Sequence, residues 1–266
     1  MLASVLSDMS KPPQGFEAPG TEIFDYTKSC LIGDGPYCVT KVTLLMLISS
    51  VIIGILFLIA FRRSRVVPRG LQNVLESVVE FIRNGIVIEV MGPDGLPFLP
   101  FLSTIFFFVF VNNIFAIIPG IQFPPTSRIA IPGFLAIVVW FVFNIVGMLK
   151  QGGLRYLKNE LFPRGVPAAL YVLMAPVELV SVFILRPLTL ALRLAGNMIA
   201  GHLMLAVLFL LTWYLQWKPI TIPIAAASFA LGVFITAFEV LVAVLQAYIF
   251  TILTAVYIDE AMHPQH

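Results

Sequence analysis

Apolar runs with few charges, each long enough to cross a bilayer, occupy most of this chain, and they decide its class of fold. The first run, Val42 to Phe61, has about the 20 residues that a helix needs to span the hydrocarbon core. Two later runs, at about 98–118 and 129–149, have a similar length, whereas 166–217 and 220–258 exceed a single perpendicular span. The sequence therefore predicts an all-α membrane protein with several spans.

The composition excludes a water-soluble fold. The 266 residues are 59% hydrophobic and only 11% charged, against about 25% charged residues in soluble chains. Surface-to-volume scaling requires a soluble domain of this size to show more polar surface than so few charges supply. The net charge of +2 is too small to indicate a nucleic-acid partner.

Two clusters of basic residues indicate the topology. One follows the first run and the other follows the third; they comprise Arg62, Arg63 and Arg65, and then Lys150, Arg155, Lys158 and Arg164. Because positive loops stay in the cytoplasm, both clusters lie inside. We therefore predict an extracytoplasmic N-terminal segment at 1–40, a single transmembrane domain at 41–266 and a cytoplasmic C-terminus.

Residues 68–90 have a different pattern from the spans. Apolar side chains recur at helical spacing from Leu71 to Ile82, and charged or polar side chains such as Arg69 and Glu80 take the other face. This pattern is typical of an amphipathic helix that lies in the plane of the inner surface. The turn Gly92-Pro93-Asp94-Gly95 then leads into a transmembrane hairpin.

Cys30 and Cys38 are the only two cysteines, and they flank a glycine-rich turn. The polar start of the chain does not resemble a cleavable signal peptide. If the N-terminal segment faces an oxidising compartment, the two thiols can form a small disulfide loop. Two free thiols are the alternative, and the sequence leaves both open.

The last two apolar runs predict two long, strongly tilted membrane helices packed as a hairpin. Pro176 and Pro187 remove backbone donors in the first of them and supply kink points. Neither run shows the sequence repeats that mark the inverted halves of many carriers.

Polar groups inside these two runs are the candidate functional residues, because a charge at mid-bilayer costs on the order of 3 kcal/mol. They are Glu178, Arg186, Arg193, Asn197, His202, Glu239 and Gln246. Arg193 stays protonated and cannot relay a proton, so it can act only as a fixed charge that stabilises a passing carboxylate. An ion pair with Glu178 or Glu239 would instead make it structural.

The other candidates divide by chemistry. His202 and Glu239 can titrate and could carry protons on the outer side of Arg193, although a lone His can also serve helix packing. Asn197 and Gln246 carry amides, which suit positioning better than transfer. Glu178 is either a relay on the cytoplasmic side or an anchor near the interface.

The segment from Pro187 to His202, PLTLALRLAGNMIAGH, together with LQAYIF at Leu245–Phe250, resembles subunit a of the F-type ATP synthase, in its bacterial form. The resemblance extends from the first span to the C-terminus and includes Asn113. The polar segment before Cys38 is outside it.

This resemblance implies a stator subunit with two offset half-channels that face a rotating ring of c subunits. Arg193 matches the essential arginine of the family, and Asn197, His202, Glu239 and Gln246 match positions on the proton path. Glu178 resembles an acid of the cytoplasmic half-channel. Many bacterial members carry the carboxylate and the imidazole in the reverse order, so this chain resembles the swapped arrangement.

The resemblance also implies partners: the c ring, the b-subunit peripheral stalk and the remaining subunits. No nucleotide motif occurs in the sequence, so we expect ATP chemistry to belong to those partners, with neither cofactor nor metal in this chain. The expected location is the bacterial plasma (inner) membrane, as a multi-pass protein. A self-contained proton-coupled carrier and a scaffolding subunit remain as alternatives.

Overall fold

The structure is a computed structural model that describes residues 30–32, 39–62, 69–118, 125–153, 155–156, 159, 168–217 and 219–263. Within these ranges, a two-stranded antiparallel sheet precedes the helices; it pairs β1 (Cys30–Ile32) with β2 (Val39–Thr40). The sequence pattern did not predict this sheet. Cys38 lies outside the described residues, so the disulfide stays a prediction.

Seven α-helices follow in the described ranges. They are α1 (Lys41–Phe61), α2 (Leu71–Ile82), α3 (Leu99–Ile114), α4 (Ala130–Gln151), α5 (Ala168–Val180), α6 (Arg186–Leu215) and α7 (Ile222–Met262). π-Helical turns at Arg83–Met91 and Ser181–Leu185 extend α2 and α5, and 3-10 turns occupy Gly92–Phe98, Pro125–Ser127 and Pro219–Thr221.

Five helical segments of the described chain are long and apolar enough to cross a membrane. They are Val42–Phe61, Leu71–Ile114, Ala130–Gln151, Met174–Leu215 and Pro219–Met262. The prediction of an all-α membrane protein with several spans is therefore confirmed. The placement of residues 68–90 in the plane of the membrane surface stays a prediction. The last helix continues to Met262, four residues beyond the predicted end of its span at 258.

Gly92 ends the first part of the second segment. Its φ of 66° lies in the left-handed region that glycine adopts without steric cost. The π-helical turn stops there, and a 3-10 turn with Pro93 and Pro97 leads into α3. The predicted turn at Gly92–Gly95 thus takes the form of a change in helix type.

Apolar side chains fill the interior and also cover the outside. Ile82, Leu102, Leu194 and Ile258 are fully buried where the helices meet. Leu58 is 72% exposed although it is apolar. A chain in water would bury such side chains, so their exposure matches a lipid or protein environment rather than solvent.

The hairpin of α6 and α7 is the longest feature of the fold. The 41 residues of α7 rise about 62 Å, roughly twice the hydrocarbon thickness. At the open end of the hairpin, Arg186 and Glu260 form an ion pair of 3.0 Å, and the guanidinium also lies over the Tyr257 ring. Near the connection, Ser228 Oγ donates to the Leu208 carbonyl at 2.9 Å. These contacts set the register of the two helices.

Candidate functional site

The candidate residues other than Glu178 lie between the two ends of this hairpin. Arg193 follows Arg186 by two helical turns, and Gln246 precedes Glu260 on the opposite helix. In the same stretch Gly201 of α6 packs directly against the Glu239 side chain of α7. The antiparallel register therefore brings the polar positions of both long helices into one region of the hairpin.

A cavity of about 100 Å³ lies beside this region, where α3 packs near the hairpin. Its polar lining comes from three helices: Asn113 from α3, Asn197 from α6 and Glu239 from α7. Apolar side chains such as Met198, Met204, Ile235, Phe238 and Val242 form most of the remaining wall. A space of this size and polarity has room for a few water molecules with polar partners.

The Glu239 carboxyl group is held between the cavity and α6. Oε2 is buried and has no hydrogen-bond partner among the described residues, while Oε1 lies so close to Gly201 that a Cβ at this glycine would collide with it. A glycine here therefore lets the carboxyl group lie in its observed position between the helices. An unsatisfied buried carboxyl oxygen is costly, so its position next to a cavity points to water or a proton as its partner.

Asn113 is fixed from the other side of the cavity. Its side chain is 0% exposed, and its Oδ1 accepts a hydrogen bond of 3.0 Å from the hydroxyl of Thr126. Its Nδ2 is buried without a partner among the described residues. The amide therefore has one occupied acceptor and a free donor at the cavity wall.

Gln246 occupies the buried stripe of α7. It lies seven residues after Glu239 on the same side of the helix, between the buried Ala243 and Ala247. Its Nε2 is buried and has no hydrogen-bond partner in the described part of the chain. Gln246 is thus a buried amide donor that does not line the cavity.

Arg193 does not line the cavity. Its side chain is exposed, as are Thr189, Gly196 and Ala200 on the same stripe of α6. Among the residues that the structure describes, it forms no ion pair, so pairing with Glu178 or Glu239 is absent from this structure. A permanent charge on a flat, small-residue surface is open to a group outside this chain.

His202 and Glu178 do not line the cavity. His202 is half-buried and follows Gly201, away from the exposed stripe of Arg193, and it is not part of the cavity wall. Glu178 is half-buried on α5 and has no ion pair within the described ranges. The structure thus joins Asn197 and Glu239 at one cavity, while Arg193, His202, Gln246 and Glu178 stand outside its wall.

The sequence pattern missed one residue that shapes the site, Thr126, and the partner of another, Arg186. Thr126 belongs to a short 3-10 turn with no periodicity, and no signal in the sequence connects it with Asn113. Arg186 was visible as an intramembrane charge, but its pairing with Glu260 depends on the length and register of the hairpin. Within the described ranges, no three His, Cys, Asp or Glu side chains lie close enough together to hold a metal ion.

Fold and site together define a polytopic α-helical membrane protein with a polar cavity inside its apolar helices. Residues 43–259 match the family model described as ATP synthase A chain. ATP synthase subunit a of Frankia alni is 42% identical over 257 residues, which cover 95% of this chain and 89% of that protein.

Other bacterial relatives have the same name and a similar identity to this chain. ATP synthase subunit a of Rhodococcus erythropolis is 41% identical and covers 93% of this chain and 91% of its own length. The protein of the same name from Hyphomonas neptunium is also 41% identical, over 90% of this chain and 94% of its own length. The chain belongs to the ATP synthase A chain family, which confirms the resemblance found in its sequence. It is a bacterial membrane protein of ATP synthesis and proton transport.

Proposed function

We propose that this chain is the proton-conducting stator subunit of the membrane sector of ATP synthase. It provides two offset half-channels, and Arg193 faces a carboxylate of the rotating c ring. The b-subunit stalk and the remaining subunits hold it in place, with its N-terminus outside and its C-terminus in the cytoplasm. ATP chemistry takes place on those partner subunits.

The exposed position of Arg193 carries this proposal. A guanidinium in an apolar surface needs a counter-charge, and the described part of this chain supplies none at that point. The small residues Gly196 and Ala200 beside it allow another helix to approach closely. A carboxylate on such a helix would be stabilised in its charged form and would release its proton before it passes Arg193.

The cavity supports an aqueous path on one side of this arginine. Asn197 lines the cavity and lies one helical turn from Arg193, so the two are about 6 Å apart along the axis of α6. Glu239 in the cavity wall packs against Gly201, and His202 is the next residue of α6; these two titratable groups would pass protons to the ring. Gln246 would orient the groups that meet there, and Glu178 would serve the cytoplasmic half-channel.

The barrier role of Arg193 has an energetic reason. A potential of 100 mV supplies about 2.3 kcal/mol for each charge that moves across the membrane. A continuous water path would dissipate this membrane potential without rotating the c ring. Because Arg193 is always charged and cannot relay a proton, it separates the half-channels and forces each proton to travel with the ring.

The alternative is a self-contained proton-coupled carrier, and reconstitution distinguishes it from the stator. In lipid vesicles that hold only the purified chain, we expect an imposed pH gradient to decay at close to the rate of protein-free vesicles. The half-channels do not connect without the ring. Vesicles with the assembled enzyme should acidify when ATP is added. Transport by the isolated chain would favour the carrier.

Exchanging the two titratable groups tests the outer path. We expect His202→Glu and Glu239→His to lower ATP-driven acidification by roughly tenfold each, since general acid and base groups contribute at least that much. The double variant should recover several-fold over either single variant if the two groups act together. A double variant that is no better than the singles would contradict their coupling.

A further inference from the structure

We propose that Thr126 is a positioning residue of the outer proton path: its hydroxyl orients the Asn113 amide so that the N–H donor faces the cavity shared with Glu239. This inference rests on the proposed function. Thr126 lies in the 3-10 turn Pro125–Ser127, thirteen residues after Asn113, and its side chain is 1% exposed. Both partners of the hydrogen bond are therefore shielded from bulk water.

The direction of this hydrogen bond carries the inference. The threonine hydroxyl donates to Asn113 Oδ1 at 3.0 Å. In the reversed amide orientation, Asn113 would donate to the threonine, and the buried hydroxyl proton would need another acceptor. The described residues offer the Thr126 side chain no other hydrogen bond. A buried donor that is left without an acceptor is unfavourable. Thr126 therefore selects one of the two amide orientations.

The selected orientation has a consequence for the cavity. Because Oδ1 is occupied, Nδ2 is the amide group that remains, and it is buried without a partner among the described residues. Asn113 lines the same cavity as Asn197 and Glu239. An N–H donor at this wall holds a water molecule by its oxygen and turns its hydrogens toward the other walls, where the carboxyl group of Glu239 accepts them.

The reversed amide would act in the opposite sense. It would present Oδ1 to the cavity, so the same water would donate to Asn113 and its oxygen would face the remaining wall. One hydrogen of the water would then be taken by the amide oxygen, which leaves a single hydrogen for the carboxyl group of Glu239. Thr126 thus acts on proton transfer through Asn113 and needs no contact with the transferred proton.

The test compares threonine variants of the assembled enzyme in inverted membrane vesicles. Thr126→Val keeps the shape of the side chain and removes the hydroxyl, and we expect the initial rate of ATP-driven acidification to fall roughly fivefold, the effect of one lost hydrogen bond. Thr126→Ser keeps the donor and should restore most of the rate. Thr254→Val is the matched control, since Thr254 is equally buried but donates within its own helix to the Phe250 carbonyl.

A double-mutant cycle separates positioning from a structural role. If Thr126 acts through Asn113, Thr126→Val should have no further effect in an Asn113→Ala background. Effects that multiply would overturn the inference, as would a Thr126→Val enzyme that pumps at the wild-type rate. If the valine variant does not assemble, Thr126→Ser and Thr126→Ala decide, because both lack the methyl group and differ only in the hydroxyl.

The same vesicles distinguish this inference from the proposed function. Pumping that is lost in an Arg193→Ala enzyme but unchanged in Thr126→Val overturns the positioning role alone. Pumping that survives Arg193→Ala overturns the stator function itself.

Discussion

Replacing Arg193 with Ala should abolish ATP-driven acidification of inverted vesicles, with a decrease of at least about 100-fold, the scale of losing a preorganised charge at a reacting centre. The substitution removes a charge that has no internal counter-charge among the described residues and that faces outward on α6. A c-ring carboxylate would then lose the cation that favours its charged form. Dye quenching by vesicles with equal amounts of assembled enzyme measures the effect.

Arg69→Ala is the matched control, because Arg69 is an exposed arginine outside the long hairpin. It should pump at close to the wild-type rate. Arg193→Lys keeps the charge but loses the planar guanidinium, so we expect an intermediate rate. Wild-type pumping by the Arg193→Ala enzyme would contradict the proposed function, since no other residue of this hairpin carries an exposed, unpaired cation in the described ranges.

Replacing Gly201 with Ala should reduce proton pumping by roughly tenfold without unfolding the subunit. The new Cβ would collide with Oε1 of Glu239. Because this oxygen is the end of a flexible side chain, the carboxyl group can move aside while the helices stay packed. Moving a reacting group by about 1 Å can cost on the order of 100-fold in rate, so a tenfold loss is a moderate expectation.

Two further variants make this test specific. Gly54→Ala is the control, since a Cβ at Gly54 would meet open space, and both alanines should favour their helices slightly. Glu239→Asp shortens the side chain by one methylene, so it should recover part of the pumping when combined with Gly201→Ala. Acidification rates and the amount of assembled enzyme are measured together. A Gly201→Ala enzyme with the wild-type rate would show that the position of the carboxyl group is not critical.

The sequence predicted the helices more completely than it predicted the site. The run at Val42 to Phe61 was predicted almost to the residue, because hydrophobicity and flanking charge are properties of consecutive residues. Arg193 was likewise visible, since an intramembrane charge is costly wherever the helix packs. The two-stranded sheet near Cys30 was not visible, because its strands are only three and two residues long.

The composition of the cavity depended on packing. Asn113 entered the sequence argument only through the resemblance, and Thr126 did not enter it at all. Helical periodicity predicts which face of one helix is polar, but it does not predict which faces of α3, α6 and α7 meet. The contact between Gly201 and Glu239 needs a register that is set elsewhere along the hairpin, at Arg186 and Glu260.

The sequence by itself therefore determined a helical membrane protein with costly polar residues in its last two spans, because these conclusions need only local composition and spacing. The tertiary structure decided that Arg193 faces outward while Asn113, Asn197 and Glu239 share a cavity. Their separation along the chain exceeds 40 residues at each step, as their numbers show. Only the packing of three helices at a particular register can bring such distant side chains together.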